Sequence, residues 1–85
     1  MKDSTAKTRI KRAVNKALPT EPQPVKDYIE ELTFITWEAN RVDSYTFRND
    51  TEALEDAINI NLDYELSEVL KEARTETAKG WRKGA

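Results

Sequence analysis

The chain has 85 residues, 38% of them hydrophobic, with 14 Lys and Arg against 16 Asp and Glu, no His and no Cys. That length holds one small domain. Without Cys or His the domain has no disulfide staple, no thiolate nucleophile and no imidazole for base work or metal ligation, which excludes Ser-His-Asp and Cys-His hydrolases, zinc fingers and haem attachment together.

The opening Met1-Lys2-Asp3-Ser4 runs into basic rather than apolar sequence, and no apolar run approaches the about 18 residues of a membrane span. The expectation is a soluble, cytoplasmic protein with no membrane partner. Charge falls in blocks. Residues 1–16 carry six cations against Asp3, residues 17–70 carry thirteen acids against three cations, and residues 71–85 carry five cations against two acids. Two basic ends flank an acidic middle.

Residues 4–18 read as a first helix, with Ser4 as N-cap. Ile10, Val14 and Leu18, with Ala6, Ala13 and Ala17, fall on one side of it. Only three of these are large, so the helix is expected to be a basic N-terminal arm, 1–18, with little to gain by packing. All three prolines lie in Pro19–Pro24, which stops the helix and reads as a semi-rigid linker, 19–24. An acidic helical body, 25–79, and a basic tail, 80–85, follow.

In the body, Pro24 suits a first turn, and Val25, Tyr28, Ile29, Leu32, Ile35 and Ala39 form a helical stripe running to about Arg41. The alternative is an α+β fold with one β-hairpin at about 32–48, built from Thr33–Trp37 and Ser44–Arg48. The segment between them lacks Gly and any Asn-Gly or Asp-Gly turn, so the helix is preferred. Asp43–Asp50 reads as a loop with Tyr45 and Phe47 folded inward. Asn49 with Glu52 resembles a capping box for a third helix carrying Leu54, Ala57 and Ile58. Asn59, Asn61 and Asp63 suggest a break near Asn61, with Asp63 capping a fourth helix that carries Tyr64, Leu66, Val69, Leu70 and Ala73 and ends at Gly80. The expected fold is all-α, with three to four helices and a core of Tyr28, Ile29, Leu32, Ile35, Leu54, Ile58, Leu66, Val69 and Leu70.

Catalytic equipment is sparse. Asp50, Glu52, Glu55 and Asp56 lack the Gly of a calcium loop and read as acids placed at a helix start. Ser4, Ser44 and Ser67 have no His partner, and Gly80 and Gly84 make no phosphate loop. The chain is therefore read as a non-enzyme without metal or cofactor. Three features point to binding instead. Lys7, Arg9, Lys11, Arg12 and Lys16, helped by Trp81, Arg82 and Lys83, suit nucleic-acid phosphates and a stacked base. The acids Glu30, Glu31, Glu38, Glu52, Glu55 and Asp56 suit a basic protein partner. Phe34 and Trp37 lie off the expected core stripe, either as an exposed anchor pair or as core covered by a second neighbour.

The leading expectation is a non-enzymatic protein that regulates, inhibits or assembles a protein partner through an acidic helical surface. Nucleic-acid binding through the basic ends is the alternative, and self-assembly of basic arm on acidic body is a third. In size and composition the chain resembles small bacterial or phage accessory proteins.

Overall fold

A computed structural model describes residues 1–84. Helix α1 (Asp3–Ala17) starts one residue before Ser4, with Lys2 as N-cap and no side-chain cap. Its Ala6, Ile10 and Val14 are fully enclosed, and Leu18 closes its end. Here the structure corrects the sequence reading: α1 is part of the single core and not a detached arm. Small apolar residues explain why. Ala6 and Val14 let the helix axis approach its neighbour closely, so a narrow stripe is enough to bury one side.

The proline segment is likewise no spacer. The amide of Glu21 donates to Leu18 O, Lys26 Nζ donates to Pro19 O, and Arg74 Nη2 clamps Glu21 Oε1 at 2.6 Å from the far helix. Helix α2 (Gln23–Arg41) begins with Pro24 in its first turn, as its fixed φ favours. It contacts α1, α3 and α4, which makes it the central helix. Its buried line is Val25, Ile29, Thr33 and Trp37. The expected stripe was out of phase: Ile35 is 53% exposed and Ala39 is exposed, whereas Trp37 is fully enclosed. Trp37 is the largest fully buried side chain, and its burial sets the helix rotation.

The 42–49 connection is a tight turn in which Asp43 Oδ1 accepts from the amides of Tyr45 and Thr46. Phe47 packs against the core, but Tyr45 points to solvent at full exposure, contrary to expectation. Among the described residues there is no strand, so the hairpin alternative falls.

Helix α3 (Asp50–Asn59) is capped by Asn49, whose Oδ1 accepts from the Glu52 amide at 2.8 Å. The Glu52 carboxylate turns to Arg48 instead of closing the box. A π-helical turn (Ile60–Tyr64) follows, marked by the Glu65 amide reaching back to Ile60 O at 2.8 Å. Helix α4 (Leu66–Ala78) then starts without a side-chain cap, and Asp63 sits exposed in the π turn rather than capping it. The chain leaves α4 through Gly80 at φ 105°, where the Gly80 and Trp81 amides return to Thr77 O and Glu76 O. That paired return is the Schellman pattern, which needs a left-handed residue.

Ile29, Leu54 and Val69 of the expected core are buried, while Tyr28, Leu32, Ile58, Leu66 and Leu70 are half-buried around it.

Candidate binding surfaces

The aromatic pair on α2 separates. Trp37 donates its indole N–H to Asp50 O at 3.1 Å, carries the Arg41 guanidinium 4.4 Å above its ring, and has no exposed surface. It is a core residue and cannot be the exposed anchor. Phe34 is half-buried beside it, ring centroids 5.5 Å apart, with Lys7 Nζ 4.8 Å over its other side. Phe34 is thus spent on α1–α2 packing.

The acids divide in the same way. Glu30 is buried at 8% exposure, and its Oε2 has no hydrogen-bond partner among the described residues. It lines a pocket of about 100 Å³ with Lys7, Ile10, Glu31, Phe34 and Lys83. Burial pushes its carboxyl above the usual range, against an opposing pull from Lys83 and Lys11. Glu52 is half-buried and paired with Arg48 at 3.2 Å, and Asp56 accepts from Asn40 Nδ2 at 3.0 Å. Glu55 is exposed on α3. Glu31 and Glu38 are exposed on α2.

Those two belong to a surface that the sequence reading missed. The flanks of α2 are occupied: Arg41 reaches Asp3 on α1, Asn40 reaches Ala53 O on α3, and Tyr28 donates to Glu72 on α4 at 2.9 Å. What remains is the outward side, where Glu31, Ile35, Glu38, Ala39 and Val42 recur at helical spacing, all exposed. Ile35 and Val42 are 53% and 81% exposed. The signal of this surface is Ile35 and Ala39, two residues off Thr33 and Trp37 and so almost opposite the buried line; the sequence stripe places both in the core and leaves Val42 out.

The cations of α1 also split by rotation. At about 100° per residue, Arg9, Arg12 and Lys16 fall on one side with Thr5, while Lys7 and Lys11 turn toward Phe34 and Glu30. Arg9, Lys11, Arg12 and Lys16 are exposed and none lies within 4.0 Å of a carboxylate among the described residues. In the tail, Trp81 stands edge-on to Tyr28 at 5.0 Å and is half-buried, so it is occupied rather than free to stack on a base. Burial and the Glu72 hydrogen bond push the Tyr28 hydroxyl up to about 12. Arg82 and Lys83 are exposed beside it.

Among the described residues no group of three Asp or Glu is arranged to hold a metal ion, and no helix is long and apolar enough to cross a membrane. No protein-family model, curated protein or solved structure matches the chain.

Proposed function

We propose that the protein is a non-enzymatic binding protein that holds a basic amphipathic segment of a protein partner on the outer side of α2. The observation that carries this reading is the exposed pair Ile35 and Val42 on one line of the central helix, flanked by Glu31 and Glu38. A helix of ordinary surface composition places polar groups there. Apolar contact in the middle with carboxylates at the rim is the arrangement in which burial supplies affinity and charge selects the partner. The chain's lack of His and Cys agrees with a role in binding rather than turnover.

The test is site-specific photocrosslinking from Ala39, which lies between the two apolar residues and is itself exposed. In the cells that make the protein, crosslinking to one predominant protein is expected. It should be lost in Ile35→Asp with Val42→Asp while the circular dichroism melt is unchanged. No crosslinked species, or one that persists in the double variant, would refute the reading.

A further inference from the structure

The packing of α1 gives its charges a geometry that a free arm would lack. Ala6, Ile10 and Val14 fix one side of the helix in the core, so its rotation is set. Thr5, Arg9, Arg12 and Lys16 stand four, three and four residues apart, which places them in one row along the opposite side. Ser4, Thr5, Thr8, Arg9 and Arg12 line a shallow groove there. Arg9 to Lys16 spans about 10 Å of helix axis at about 1.5 Å per residue. No carboxylate of the described residues pairs with any of the three cations.

We propose that this row binds the phosphate backbone of double-stranded nucleic acid without sequence preference. Guanidinium groups match phosphate oxygens in pairs, and a threonine hydroxyl adds a donor to the same row. A bilayer of anionic lipid offers phosphate as well and attracts surface cations, but firm binding by a helix adds the insertion of an apolar side. The apolar side of α1 is already in the core. Single strands are held by stacking of bases on aromatic rings. No aromatic residue lies on this row, and Trp81 is engaged with Tyr28. A rigid line of cations with neither apolar nor aromatic surface recognises a regular backbone. The remaining acids keep the net charge at −2, which limits affinity to the range of non-specific binding.

The experiment is fluorescence anisotropy of the full chain with a labelled mixed-sequence DNA duplex, beside the same sequence single-stranded and vesicles containing phosphatidylserine. Three phosphate contacts predict a logarithmic salt slope of about −2.7, a loss of about 40-fold in affinity between about 50 and about 200 mM salt. Arg9→Gln with Arg12→Gln should lower duplex affinity about 100-fold at the lower salt and bring the slope to about −1. Lys7→Gln with Lys11→Gln, on the other side of the helix, should leave the slope unchanged. The Arg9 and Arg12 variant should melt like the parent; the Lys7 and Lys11 variant, which loses the contact with Phe34 and the pull on Glu30, should melt lower but still cooperatively, and its binding is read below that melt. Four results would overturn the proposal: no duplex binding at about 50 mM salt, tighter binding to the single strand, equal affinity for the vesicles, or a slope lowered as much by the Lys7 and Lys11 changes. None of these depends on the α2 surface, whose crosslinking is read separately.

Discussion

Trp37 ties α2 to the start of α3 through one side chain. Its ring is enclosed beside Phe34, its N–H reaches the first residue of α3, and its outer side is covered by Arg41. Truncation to Ala removes a large ring that neighbours cannot collapse to replace, and with it the indole hydrogen bond to Asp50 O. We expect Trp37→Ala to cost about 3–5 kcal/mol in urea unfolding, enough to leave so small a domain largely unfolded, and Trp37→Phe to cost clearly less. An exposed anchor would show the reverse: little loss of stability. At the same scale, Asn61 is buried and gives its side-chain N–H groups to Thr33 Oγ1 and Thr36 Oγ1 at 3.2 and 3.3 Å. Thr33 and Thr36 in turn donate to Ile29 O and Leu32 O. Asn61 therefore ties the π turn to the central helix by hydrogen bonds inside the core. Asn61→Leu is expected to lower stability by about 1–2 kcal/mol despite its greater apolarity, measured in the same titration.

Helix α1 decides how far the elements depend on one another. It supplies Ala6, Ile10, Val14 and Leu18 to the buried set, and without it Phe34 loses the cover of Lys7. A chain beginning at Pro24 is expected to show no cooperative thermal transition by circular dichroism; a sharp melt would mean that residues 24–84 fold alone. The four helices were legible because their periodicity, the Pro24 start, the Asn49 cap and the Gly80 stop are local signals. Two features were not, for different reasons. The rotation of α2 depends on how many neighbours surround it, and a stripe through Ile35 is as regular as one through Trp37. The π turn lies where Asn59, Asn61 and Asp63 suggest a helix break, and its own mark in the sequence is a different pattern. Leu54, Ile58, Leu62, Leu66 and Leu70 recur at every fourth residue, and in an α-helix such a series swings by about 40° per step. One widened turn absorbs that swing and returns Leu66 and Val69 to the core side. The candidate surfaces followed the same division. The exposure of Arg9, Arg12 and Lys16 was readable from composition. Their separation from Lys7 and Lys11 required knowing which side of α1 is buried.

The whole molecule balances two kinds of carboxylate, and they respond to acid in opposite senses. Burial holds Glu30 above the usual range, so the folded chain keeps that proton more tightly than the unfolded chain does. Its contribution is complete below the ordinary glutamate value and is lost as pH rises through the raised one. Asp50 is held low, first by the hydrogen bond from the terminal ammonium and then by Arg41, against some desolvation. Asp43 is held low by hydrogen bonds from Thr46 and Tyr45. Their contributions are present above the ordinary aspartate value and are lost as pH falls through the lowered ones. Acidification from neutrality should therefore first stabilise the protein and then destabilise it, placing the maximum on the acid side of pH 7. The variant that separates the two effects is Glu30→Gln, which keeps the shape while removing the buried charge, at the cost of exchanging one acceptor oxygen for an NH2 donor. At pH 7 it should be more stable than the parent, read as a higher Tm and a higher urea midpoint. The advantage should shrink as pH falls and Glu30 takes up its proton, and the initial stabilisation on acidification should disappear from the variant. If Glu30→Gln were instead less stable at pH 7, the attraction of Lys83 and Lys11 would outweigh desolvation, and Glu30 would be a net stabilising anion between α1, α2 and the tail.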